Sequence, residues 1–284
     1  MTQEPVGARE LYRRLLEHTG PDAYDAVAEP WAARAGAAYR ERLAAVAESL
    51  SGHPPGTRDP RPAGLAADLW ELYALSRVSD TLLLSFQPPG HDHWAGPGLS
   101  REQYLALFTA LGMTPFGRTA VFDPFLHEIV EVEQAADPTE PIQVTEVVWP
   151  GLWLGAEVLF GRAGVRVRAG LRHAERAVAD RSPLYWTYRR RHRPTADLSM
   201  GWGSNSQWRT DFRVDVRTAD GDRLNVLGEE RIDDVEAGSA EALLTPAERR
   251  DLLRHRCLVR TPERAAALDG RPGWMADLFP YDWR

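Results

Sequence analysis

Residues 116–170 hold the feature around which any fold of this chain has to be built: three runs patterned as strands, set between helical sequence upstream and mixed sequence downstream. Residues 129–133 and 142–149 are rich in β-branched side chains and partly alternate. Val165, Val167 and Ala169 alternate with Arg166 and Arg168, and this period of two belongs to strands with one buried face. Asp123-Pro124 suits a short helical turn, because aspartate accepts from orphan backbone N–H groups and proline lacks the donor that would go unpaired. Asp137-Pro138 and Pro150-Gly151 supply turns between the runs.

Upstream, apolar residues recur at three- and four-residue steps over residues 8–18, 22–50, 64–86 and 100–111, which predicts four helices packed over the β module. Pro30 should break or kink the second of them early. Ser100 and Gln103 form a capping box at the start of the fourth. Proline-rich connectors at 51–62 and 87–98 read as loops within one unit.

The run Phe122-Asp123-Pro124, His127-Glu128 and Val130, followed by Pro150-Gly151-Leu152, Val158-Leu159, Arg162-Ala163, Val165 and Val167, resembles the β head of GrpE, whose pattern is roughly FDPxxHExV, a glycine-led turn and LRPAxVxV. GrpE proteins exchange nucleotide on DnaK-type chaperones by wedging this head into the ATPase domain, without bond chemistry. The resemblance therefore implies an interaction module containing Phe122, Asp123, His127, Glu128 and Arg162. The chain departs from the family in lacking the proline after Arg162 and in continuing through residues 171–284. Its connectors also exclude the family's long dimerising helix. What the resemblance implies is a fold element and a docking surface, without the activity.

At 284 residues and 43% apolar content the chain can bury a substantial core. No apolar run reaches the length of a membrane span, and residues 1–20 lack a signal-peptide pattern, so a cytoplasmic protein is expected. The single cysteine, Cys257, excludes an internal disulfide and any multi-cysteine metal site, and its apolar neighbours suggest a packed side chain. All 34 basic side chains are arginine, in keeping with a high-GC genome. The net charge of −7 gives no general attraction to nucleic acid.

Downstream, residues 171–179 have helical composition and 185–188 favour a strand. Thr245-Pro246 with Glu248 caps a helix over about 246–256, which leads into an extended segment. Trp274, Phe279, Tyr281 and Trp283 should dock the tail on the body.

Residues 207–217 alternate without a slip: Trp208, Thr210, Phe212, Val214 and Val216 on one face, Gln207, Arg209, Asp211, Arg213, Asp215 and Arg217 on the other. This predicts a strand with one buried and one charged face. A three-residue loop at 219–221 would pair Val216 with Leu224 and Val214 with Val226, matching apolar to apolar. The charged face has two readings. One is a solvated surface of weak, screened ion pairs. The other is a site, in which Asn205, Ser206, Gln207, Arg209 and Asp211 gather at one strand end, Arg209 or Arg213 orients a carboxylate or phosphate, and Asp211 acts as base. Residues 185–217 carry seven arginines against three aspartates, with Tyr185, Trp186 and Tyr188 ahead of residues 189–193. Such a segment either meets a polyanion by stacking and phosphate contacts or pairs internally with acidic residues.

His91 and His93 lack a third ligand at a useful spacing, so no metal is expected. No dinucleotide fingerprint, Walker loop or GxSxG elbow occurs, and no cofactor is expected. The sequence thus predicts an α+β protein with a helical region at 1–112, a GrpE-head-like β module at 113–170 and a β hairpin and helix region at 171–284. The leading function is a protein-interaction role, with a DnaK-type chaperone as a candidate partner and Trp186, Tyr188, Arg191, Trp202, Arg209 and Arg213 as binding surface; neither nucleic acid nor membrane is the expected partner. The alternative is an enzyme acting on a small anionic or peptide substrate through Asn205, Gln207, Arg209 and Asp211. An enclosed pocket favours the second, an open sheet face the first.

Overall fold

The computed structural model describes residues 7–51, 64–88, 94, 96–182, 184–185, 189–191, 193, 195–196, 206–228, 230–232, 244–269 and 281–282. The N-terminal half is helical: α1 (Ala8–Glu17), a π-helical turn at Tyr24–Ala28, α2 (Glu29–Ser51), α3 (Leu65–Leu83) and α4 (Arg101–Ala110). The π-helical turn runs directly into α2 and ends just before Pro30, and this wider turn accommodates a residue that cannot donate to the preceding turn of the helix. Ser100 caps α4 through Gln103 N–H, and the Gln103 side chain accepts from Ser100 N–H in return.

Twelve short strands follow among the described residues: β1 (Thr114–Phe116), β2 (His127–Gln134), β3 (Gln143–Trp149), β4 (Gly151–Leu154), β5 (Val158–Gly161), β6 (Ala163–Ala169), β7 (Leu184–Tyr185), β8 (Thr195–Ala196), β9 (Asp215–Thr218), β10 (Gly221–Arg223), β11 (Glu230–Arg231) and β12 (Tyr281–Asp282). Three helices complete the C-terminal part: α5 (Val178–Arg181), α6 (Pro246–His255) and α7 (Pro262–Leu268). The fold is α+β, and among the described residues no helix is long and apolar enough to cross a membrane.

One sheet has the order β1-β4-β5-β9-β10; a second has β2-β6-β3, with β2 parallel and β3 antiparallel to β6. The chain crosses between the sheets twice in a single residue, at Pro150 between β3 and β4 and at Arg162 between β5 and β6. Trp149 fixes this corner by donating its indole N–H to Arg162 O at 3.0 Å. Gly164 lets the ring lie flat on the backbone, since a Cβ there would stand 2.2 Å from it.

Alternation along β5 divides the core. Val158 and Phe160 pack with Leu11, Trp31, Leu43, Leu69, Leu72 and Phe108 of the helical half, while Leu159 faces Leu252, Leu253, Leu258 and Leu268 around α6 and α7. The five-stranded sheet is therefore covered on both faces. The second sheet buries Ile129, Val132, Val144, Val165 and Val167 against Val178, Leu184 and Cys257. Its outer face pairs Arg166 with Glu131 and Glu146, and Arg168 with Glu133 and Glu140.

Residues 207–217 correct the expectation of an eleven-residue strand with a wet charged face. Ser206–Arg209 is a 3-10 turn, 210–214 is irregular, and the strand begins at Asp215. A helix competes for this backbone: Phe212 N–H donates to Leu69 O in α3 at 3.2 Å. Phe212, Val214 and Val216 are buried as the alternation requires, but Arg213 and Asp215 are buried as well, because α6 covers the second face. The hairpin also differs from the three-residue reading. It turns on Ala219-Asp220 alone, with Thr218 opposite Gly221 and Val216 opposite Arg223. Asn225, at φ 52°, then shifts the register, and Val226 N–H reaches Val214 O at 2.9 Å, restoring the apolar pairing.

Of 171–179 only Val178 and Ala179 are helical, in α5, the residues before them being turns and irregular backbone; of 185–188, Tyr185 ends β7 and 186–188 lie outside the described residues. After α6 the chain is non-helical through Arg260, and a further helix, α7, then starts at Pro262, where Thr261-Pro262 repeats the capping chemistry of Thr245-Pro246. Tyr281 lies in β12 beside β11, whereas Trp274, Phe279 and Trp283 lie outside the described residues.

Candidate functional site

The corner at Arg162 is where charge accumulates. Arg162 is 3% exposed. Its Nη1 donates to Arg254 O at 2.9 Å, and its Nη2 stands 3.7 Å from Asp215 Oδ2. Arg213 grips Asp215 with both prongs, Nε to Oδ1 at 2.9 Å and Nη2 to Oδ2 at 2.7 Å, and Nη2 also reaches Leu253 O at 3.0 Å. Arg256, in the left-handed conformation at the C-cap of α6, brings Nη2 to 3.8 Å from Asp215 Oδ2. Three guanidiniums thus converge on one carboxylate that is 1% exposed. Carbonyls from the last turn of α6 take part of their hydrogen-bonding capacity, as the negative end of a helix favours.

The protonation behaviour follows from this crowding. Burial, then Arg256 and Arg213, push Arg162 well below the usual arginine range. Burial and Arg213 push Arg256 down to about 10. Burial would raise Asp215, but Arg213, Arg162, Arg256 and the Asn225 N–H outweigh it and hold the group below the ordinary carboxylate value. His255 is pushed well below its usual range by burial and by Arg260, Arg162 and Arg254, and stays neutral.

A second cluster adjoins the first and is internally satisfied. Arg190 clamps Glu128 through Nε at 2.8 Å and Nη2 at 3.0 Å, holds Asp80 through Nη1 at 2.7 Å, and lies 5.3 Å from the Trp149 ring centre. Burial would raise Glu128, yet the Arg190 guanidinium brings it down to about 2. Arg193 donates to Ser182 O, Val178 O and Ile129 O.

These side chains border a cleft of about 70 Å³ between α3, α4 and the sheet corner. Arg162, Arg190, Arg213 and Arg256 line it together with Ser79 and Tyr104, whose hydroxyls lie 2.8 Å apart. Its half-exposed rim carries Tyr73, Ser76, Thr210 and Asp211. A larger groove of about 530 Å³ runs along β2 and α5, but it is more open and Arg166 is already paired there with Glu131.

The chain matches no protein-family model, no curated protein and no solved structure. The site therefore has to be read from its own chemistry.

Of the residues singled out in the sequence, Asp211 and Arg213 do meet at the cleft. Asp211 accepts the Trp70 indole N–H at 2.9 Å. Arg209 is exposed on the 3-10 turn that also contains Gln207, and Arg209 is not among the residues lining the cleft. Asn205, Trp186, Tyr188 and Trp202 lie outside the described residues. Within 189–193, internal pairing describes Arg190 and Arg193, and Arg191 bonds to Gln87. Of the five residues expected to form an interaction module, His127, Glu128 and Arg162 are buried. His127 Nδ1 accepts from Asp123 N–H at 3.0 Å, and burial lowers its pKa, while Asp123 also receives Arg217. Phe122 packs on the His127 ring. The sequence points to Arg162 only as a docking residue and does not mark Asp215 or Arg256 as site members. An arginine interrupting the apolar run 158–165 was the available signal for the first.

Proposed function

We propose that this protein binds a small anionic ligand, its negative group held at Arg162 in the cleft between the helical half and the sheet corner. One observation carries the reading: Arg162 Nε and Nη2 are buried without a hydrogen-bond partner among the described residues, beside two further arginines that share its single carboxylate. Buried donors left unmade cost about 1–3 kcal/mol each, more when charged, and like charges add repulsion. An anion in the cleft supplies both acceptors and counter-charge. This supports the ligand reading over docking through the GrpE-like motif, because three of the five residues expected to form that interaction module are buried. The chaperone proposal has its own check: ADP release from a DnaK-type ATPase, unchanged on adding this protein, removes it.

The ligand reading is tested by thermal unfolding at matched ionic strength with millimolar sulfate, phosphate, acetate and chloride. Saturation at a hundred times Kd contributes about 2.7 kcal/mol, roughly 5–10 °C for a chain of this size. A rise with an oxyanion and none with chloride is expected; no rise with any of them refutes the proposal.

A further inference from the structure

The anion-binding reading can be taken one step further, and the step rests on that reading. We infer that the cleft is built for a phosphoryl dianion, as inorganic phosphate or the phosphate end of a monoester, in preference to a carboxylate. Charge is the first ground. Arg190 clamps Glu128 and reaches Asp80, and both prongs of Arg213 occupy Asp215, whereas Arg162 and Arg256 come no closer to that carboxylate than 3.7 and 3.8 Å. That leaves two positive charges in excess, which a monocarboxylate would only half compensate.

Donor geometry is the second ground. Arg162 presents Nε and Nη2, the edge of its fork that matches two oxygens of one anion. Arg256 Nε is a third buried donor without a hydrogen-bond partner among the described residues, and it comes from a different element. Donors arriving from two directions suit a tetrahedral group better than a planar carboxylate. Size is the third: about 70 Å³ holds a few water molecules or one phosphoryl group. The rest of a monoester would lie at the rim, beside Tyr73, Ser76 and Thr210.

The test is calorimetric titration of the full chain with methyl phosphate, dimethyl phosphate and acetate, at fixed ionic strength and at several pH values. Methyl phosphate should bind at least tenfold tighter than the two monoanions. Its affinity should fall about tenfold per pH unit below its second pKa of about 6, as the dianion is protonated. Arg162→Lys keeps a charge but loses the fork, and should weaken methyl phosphate at least tenfold; full affinity in a folded R162K overturns the assignment. If acetate or dimethyl phosphate binds as well as methyl phosphate with no pH dependence, the dianion inference fails and anion binding stands. If none of the three binds, both fail.

Discussion

Glu128→Gln isolates the charge of the clamp that closes the inner wall of the site. The amide keeps the shape of the carboxylate but leaves Arg190, 8% exposed, with Asp80 as its remaining carboxylate contact. Breaking a buried pair from one side costs about 3–5 kcal/mol, a large share of the roughly 5–15 kcal/mol that holds a domain folded. Proton linkage gives a similar figure. A carboxyl at about 2 in the folded chain against its ordinary 4.5 contributes roughly 3 kcal/mol at neutral pH. Because the folded value is the lower one, this stability is fully present above about pH 4.5 and is lost as pH falls through about 2. At pH 3 less than half of it remains. Urea denaturation followed by tryptophan fluorescence should show E128Q losing about 1 M or more in midpoint at pH 7 with unchanged slope, and a much smaller gap to wild type at pH 3. A cost under about 1 kcal/mol at pH 7, or an equal cost at both pH values, would refute the account of this clamp.

Two further substitutions probe the corner. Asp215→Asn removes the carboxylate shared by three arginines and should destabilise the chain by several kcal/mol at pH 7, with millimolar phosphate restoring more of the urea midpoint than acetate does. Gly164→Ala places a methyl group 2.2 Å from the Trp149 ring and should lower the melting temperature by displacing the indole that bonds Arg162 O, at a cost of about 1–3 kcal/mol or more; a melting temperature within a degree of wild type counts against the corner's rigidity.

Local chemistry was legible in the sequence wherever it decides the outcome by itself. The helical stripes, both capping boxes, the alternation of Val165 and Val167 with Arg166 and Arg168, and the burial of Phe212, Val214 and Val216 all follow from neighbours a few residues apart. The site depends on partners far along the chain and was only half legible. Alternation correctly grouped Arg213 with Asp215, but nothing local indicated that α6, some forty residues later, would cover that face and turn a solvated pair into a buried one. In the same way nothing near Glu128 in the sequence marks it as half of a buried ion pair, because its partner Arg190 arrives from 62 residues away. Buried charge is a tertiary property: its sign is visible in the sequence, its environment is not.

The central claim is that the Arg162 corner holds an oxyanion, and diffraction can see one directly. A crystal soaked in tungstate, a tetrahedral dianion with a strong anomalous signal, should show a peak about 4 Å from Arg162 Nη2, with a tungstate oxygen at hydrogen-bond distance of about 3 Å, on the side shared with Arg213 and Arg256. Tungstate ordered only on exposed arginines such as Arg209, with the cleft holding none, would contradict it.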